Sequence, residues 1–176
     1  MERIGDKDLS IVRKQLGRNV DNVLRVEKRC SFGFPVVILS YPVRNNSPFP
    51  TIHYLTCPHL VKEISRLEEK GLISDFESAI SKDENLRTEV EQAHRDVIKK
   101  RLSILESYDE KWRPLLSEVG SGGIKDFANV KCLHLHVADY LAGIDNPIGK
   151  DVIESIRDRE TGENVECQNC FCNRFL

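Results

Sequence analysis

A chain of 176 residues is long enough to bury a core without staples and falls within the usual size of one domain. Hydrophobic residues make up 40% and charged residues 31%, and 26 Lys+Arg stand against 28 Asp+Glu, a balance that argues against a nucleic-acid protein held by phosphate contacts. No apolar run approaches the ~20 residues of a membrane span and the start, MERIGDKDLSIVRKQLG, lacks the apolar stretch of a signal peptide, so a cytoplasmic protein with no membrane partner is expected.

In chain order, Asp6 can cap a helix over 6–16, with Ile11, Val12 and Leu16 on one face and Gly17 as its stop. Residues 23–30, 36–39 and 51–56 read as strands, with Pro35, Pro42, Pro48 and Pro50 marking the breaks. After Pro58 the apolar spacing becomes helical: Leu60, Val61, Ile64 and Leu67 recur on one face, and Gly71 ends the element. A second helix is expected over 72–80. Asp83 then opens the longest one, to about Tyr108, with Leu86, Val90, His94, Val97, Arg101 and Leu105 facing inward. Gly120–Gly123 interrupts the pattern, and Val130, Leu133, Val137 and Leu141 mark a last helix closed by Gly143. Beyond Gly149 apolar anchors are few, so 150–176 is expected to be a partly mobile, Cys-containing tail. The expected architecture is α+β: a small sheet of about three strands in the N-terminal third packed with several helices, helix-rich overall, in one domain over 1–176.

Six cysteines in a chain that is not exported read as thiols or metal ligands rather than as a disulfide framework. The densest group is Cys132-Leu-His134-Leu-His136, one soft donor and two imidazoles within five residues. On a helix Cys132 and His136 share a face and His134 points elsewhere; on a strand all three line one side. Three donors are one short of a closed tetrahedral zinc site, so a structural site here must recruit a distant ligand, for which Cys30, Cys57 and the tail are the sources. The tail reads Cys167-Gln-Asn-Cys170-Phe-Cys172, a lone CxxC step with an extra thiol. For His136 a hydrogen-bonded core imidazole is an equal alternative. Gly122 and Gly123 could turn backbone amides towards an anion, although the loop lacks the Lys-Ser/Thr ending of a P-loop. Arg101 on an inward stripe with His94 wants an anionic partner, or else belongs to ordinary ion pairs along a helix.

The segments RCSFGFP (29–35), PFPTIHYLTCP (48–58), ISRLE (64–68) and VKCLH (130–134), with NPIG at 146–149, resemble the bacterial family catalogued as domain of unknown function 501. The resemblance covers about 30–149 and carries no established activity. It implies a positional grouping: Cys30, Cys57, Cys132 and His134 stand in the family's motif segments, as do His94, Arg101, Gly122 and Gly123. That grouping implies a Cys3His set, the composition of a closed zinc site or of an iron–sulfur site with one nitrogen ligand. His136 lies outside the shared pattern, and some relatives carry a further cysteine where this chain has Phe32. A cysteine near the C-terminus is similar to one in relatives, which makes Cys170 and Cys172 further candidate ligands.

The leading expectation is thus a metal-binding protein, zinc or iron–sulfur, in which Cys30, Cys57, Cys132 and His134 converge. The alternative is a cysteine-dependent enzyme acting on an anionic substrate, with Cys57 or Cys132 attacking, His134 as base, and Arg101 with the Gly122–Gly123 amides holding charge. A third reading is a protein-interaction module presenting the long helix to a partner that the sequence does not identify.

Overall fold

In the computed structural model, which describes residues 4–160, 167 and 169–176, the chain opens with α1 (Asp6–Leu16). The helix stops at Gly17, whose φ of 63° is the left-handed conformation that glycine adopts without a steric penalty. Strands β1 (Val23–Arg29) and β2 (Pro35–Ser40) follow, joined by a tight turn in which Gly33 N donates to Cys30 O at 2.9 Å. A short hairpin of β3 (Val43–Arg44) and β4 (Ser47–Pro48) comes next, then β5 (His53–Leu55). The main sheet is antiparallel in the order β1-β2-β5. Its central strand β2 is buried along its whole length, which is why Val36-Val37-Ile38-Leu39 is a continuous apolar run rather than an alternating one. The β3–β4 hairpin was not expected. Its turn rests on Asn45 and Asn46, both at positive φ (50° and 55°), the conformation a two-residue turn of the primed type demands and Asn tolerates.

Helices make up the remainder. Pro58 occupies the first turn of α2 (Pro58–Glu69), where its missing N–H costs nothing. Gly71 separates it from α3 (Leu72–Lys82). The Asp83 carboxylate then caps α4 (Glu84–Ser103), accepting from the amides of Asn85 at 2.9 Å and Leu86 at 3.2 Å. This helix is the longest, as expected, but ends at Ser103, five residues short of Tyr108. A 3₁₀ turn (Ser107–Trp112) leads from there into α5 (Arg113–Glu118). After the glycine loop come α6 (Leu133–Leu141) and α7 (Pro147–Glu160).

The largest core joins Val37 and Leu55 of the sheet to Leu60 and Ile64 of α2 and to Leu133 and Val137 of α6. The segment beyond Gly149 departs from expectation here. Ile148, Val152, Ile153 and Ile156 of α7 all lie in that same core, at a spacing of three and four residues that puts them on one helix face. Three of these four anchors lie beyond Gly149, a sparse signal in the sequence, yet each buried isoleucine contributes about 1.5–3 kcal/mol of hydrophobic stabilisation. Further along, Cys172 packs against Ile11 and Phe34, and a 3₁₀ turn (Phe171–Phe175) lies beside α1. The remainder of the tail, 161–166 and 168, falls outside the described residues. The fold is α+β and helix-rich, with its three-stranded antiparallel sheet in the N-terminal third. Among the described residues no helix is long and apolar enough to cross a membrane.

Candidate metal centre

Cys132 ends an extended stretch and forms the N-cap of α6, so His134 falls in the first turn of that helix. The opposite wall is the C-terminal turn of α2, where Glu68 reaches across. Its Oε1 accepts from Leu133 N at 2.7 Å and lies 3.2 Å from His134 Nδ1. A carboxylate is poorly placed at the negative end of its own helix, α2, but well placed at the positive N-terminus of α6, which accounts for its orientation. The ligand-type atoms of Glu68, Cys132 and His134 all lie within 4.8 Å of one another. On the far side of the ring, His134 Nε2 lies 3.1 Å from Val61 O. A proton on Nε2 directed at that carbonyl leaves Nδ1 as the lone-pair nitrogen facing Glu68. Such an outer-shell carbonyl fixes the tautomer of metal-bound histidines. The Glu68 and His134 side chains keep 22% and 24% of their surface exposed, so the group is open to solvent. Burial raises the Cys132 thiol above its usual range, and the Glu68 carboxylate adds to the effect.

The remaining thiols gather elsewhere. Cys30, in the turn after β1, Cys57, at the N-cap of α2, and the tail residues Cys167, Cys170 and Cys172 line one pocket of about 360 Å³. Of the expected ligands, then, Cys132 and His134 stand with Glu68, whereas Cys30, Cys57, Cys170 and Cys172 stand around this pocket. All six cysteines are free thiols. Burial pushes Cys57 up to about 11 and raises Cys172 as well.

Arg101 occupies a different environment from the one the anion-binding alternative needs. It is fully buried, and its guanidinium donates to the carbonyls of Leu116 at 2.7 Å, Val119 at 2.6 Å and Gly120 at 2.7 Å. Burial draws it down to about 10, with Asp139 opposing. His94 is equally committed, since its Nδ1 accepts from Ser121 N at 3.1 Å. Between them, Arg101 and His94 clamp the glycine loop from inside. Gly122 and Gly123 have φ of 63° and 81°, the left-handed backbone that favours glycine, and a Cβ on Gly122 would also displace the end of the Leu135 side chain. His136 is fully buried, and its Nδ1 accepts from Asn146 Nδ2 at 3.1 Å, as the core-imidazole alternative for this residue had it. Burial, and then the neighbouring His94, push it down to about 4. Close by, His53 Nδ1 lies 2.7 Å from Asp139 Oδ1, both buried. Neither His53 nor Asp139 stood out in the sequence.

Sequence reasoning also passed over Glu68 as a ligand. The available signal was charge placement: Glu68 and Glu69 close α2 with acidic residues, against the helix dipole, and such a breach calls for a partner outside the helix.

The family model described as Protein of unknown function (DUF501) matches residues 26–154. Comparison with curated proteins and with solved structures returns no match. The match spans most of the chain, from β1 through α2 and α6 into α7, and so contains Glu68, Cys132 and His134 together with Cys30 and Cys57. The chain belongs to the DUF501 family of proteins of unknown function.

Proposed function

We propose that the protein binds a zinc-class divalent ion at Glu68, Cys132 and His134. The observation that supports this reading is the meeting of a carboxylate, a thiol and an imidazole with their ligand atoms within 4.8 Å of one another. These are the three donor classes that zinc takes, at about 2.0–2.3 Å from the metal. Three protein ligands leave a tetrahedral ion one position for water or substrate, the arrangement of catalytic rather than structural zinc sites. The partial exposure of Glu68 and His134 agrees with access to that position. Cys132 would give up its proton on binding, and the cation would reverse the influence that burial and Glu68 have on the empty thiol. In this reading the ligand set is Glu–Cys–His, and Cys30 and Cys57, the other two members of the expected Cys3His set, belong to the separate thiol pocket.

The cysteine-nucleophile alternative has less support. An activated cysteine has its proton affinity lowered by neighbouring cations or a helix N-terminus, whereas burial pushes Cys57 up to about 11 and raises Cys132. Arg101, its intended anion holder, is spent on backbone carbonyls.

Cobalt(II) titration of the reduced protein tests the proposal. The wild type should develop intense tetrahedral d–d bands and a thiolate charge-transfer band. C132S should lose the charge-transfer band of this site, and E68Q, whose amide oxygen can still accept from Leu133 N, should weaken binding without unfolding the chain. A charge-transfer spectrum identical in wild type and C132S would refute the assignment.

A further inference from the structure

The thiol pocket stands apart from the Glu68–Cys132–His134 group, and its contents are chemically unusual. Five of the chain's six cysteines face one space of about 360 Å³. They arrive from three separate stretches of chain: the turn after β1, the start of α2 and the C-terminal segment. Bringing distant thiols together in this way is the arrangement of a soft-metal site rather than of a set of core fillers.

Spacing distinguishes among soft-metal sites. A single tetrahedral ion with Zn–S bonds of ~2.3 Å holds its sulfurs about 3.8 Å apart. Among the described residues, no three sulfurs of the pocket come within 4.8 Å of one another. Wider separation around a larger space suits a polynuclear cluster, whose irons each take one cysteine. The lining agrees: Phe34, Leu60, Leu141 and Ile153 supply an apolar shell, and Lys28 and Arg157 supply positive charge, while Arg29 at the rim is paired with Asp8. A [4Fe–4S]²⁺ core carried by four thiolates has a net charge of two minus, which cationic neighbours offset. Donors to sulfur, which help to set the properties of such clusters, are present as well. The first-turn amides of His59 and Leu60 favour the thiolate form of Cys57, and Gln15 Nε2 donates to Cys172 Sγ at 3.4 Å.

We propose that this pocket is the binding site of an iron–sulfur cluster of the [4Fe–4S] type, ligated by four of the five cysteines Cys30, Cys57, Cys167, Cys170 and Cys172. Four S–H groups each release a proton as four Fe–S bonds form, and two ferrous ions, two ferric ions and four sulfides from outside the chain make up the 2+ core, so no further oxidant is needed. The fifth thiol stands beside the cluster without ligating it. The proposal does not rest on the Glu68–Cys132–His134 reading, because the two sites share no residue.

Reconstitution of the full-length protein with equal amounts of ferrous and ferric iron and with sulfide under anaerobic conditions tests it. The expected product is brown, with close to four irons and four acid-labile sulfides per chain, and gives a paramagnetic resonance signal on reduction by dithionite. C57S and C172S should each lose more than half of that content, whereas C132S should keep all of it. Cysteine alkylation read by mass spectrometry supplies a second readout that survives an unstable variant. In the reconstituted wild type four of the five pocket thiols should be protected, whereas all five should label in the protein before reconstitution. Failure to incorporate sulfide, stoichiometric zinc in place of iron at the same thiols, or alkylation of all five pocket cysteines in reconstituted protein would each overturn the proposal.

Discussion

Replacing Arg101 with methionine removes a buried cation while filling much of the same volume. The three carbonyls of Leu116, Val119 and Gly120 then lose their donor in the protein interior. An unsatisfied buried acceptor costs about 1–3 kcal/mol, so three of them cost roughly 6 kcal/mol. Against this, the variant no longer buries a charge. That burial draws the guanidinium from its ordinary value down to about 10, which corresponds to about 3 kcal/mol recovered. The net expectation is a loss of about 3 kcal/mol, or a melting shift of roughly 6–12 °C for a chain of this size. Thermal unfolding followed by calorimetry, with R101K alongside, measures it. Lysine keeps the charge but lacks the planar fork that serves three carbonyls, so it should fall between the two. If R101M melted within about 2 °C of wild type, the idea that this guanidinium holds α4, α5 and the glycine loop together would be wrong.

Other perturbations test the remaining parts of the account. His94 is held below its usual range, chiefly by burial, with Asp139 and Glu91 raising it and Arg101 lowering it; the His136 imidazole stands edge-on to it at 5.7 Å. The folded state therefore keeps His94 neutral while the unfolded chain takes up a proton near 6.5, so its contribution to stability is complete above that pH and is lost as pH falls below it. Urea unfolding between about pH 7 and 5 should show the loss, and H94Q should have a shallower slope; parallel slopes would count against a neutral buried imidazole. Ile156→Ala should destabilise by about 2–5 kcal/mol if α7 belongs to the main core, and a loss below about 1 kcal/mol in the same urea assay would contradict that placement. Gly122→Ala should cost at least about 1–2 kcal/mol, because its φ of 63° disfavours a side chain and the new methyl meets Leu135; unchanged melting would show that the loop relaxes freely.

Much of the fold was legible because it rests on local pattern. Glycines 17, 71 and 143, Pro58 and Asp83 punctuate the chain where the elements begin and end, and the continuous apolar run of β2 marks a central strand. What escaped depended on tertiary partners. The four isoleucine and valine anchors of α7 sit among charged residues and gain meaning only once α6 and α2 provide a surface for them. The interior ion and imidazole network likewise joins residues far apart in sequence, such as His53 with Asp139 and Arg101 with Gly120. For the candidate sites, residue type was readable and grouping was not. Cysteines and histidines could be picked out one by one, but which of them share a space is decided by the crossing of α2 with α6 and by the return of the C-terminal segment to the sheet. Glu68 shows the limit most clearly: its carboxylate belongs to α2 in sequence and to the N-terminus of α6 in space.

The most direct test of the central claim is the zinc content of wild type and C132S purified side by side, anaerobically and without chelator, followed by competition with a chromophoric chelator. Replacing an outer-shell partner already lowers metal affinity by roughly 10–100-fold, and loss of a ligand should exceed that. The account predicts one tightly held zinc per chain in the wild type that C132S lacks. Equal zinc content and equal affinity in the two proteins would contradict it.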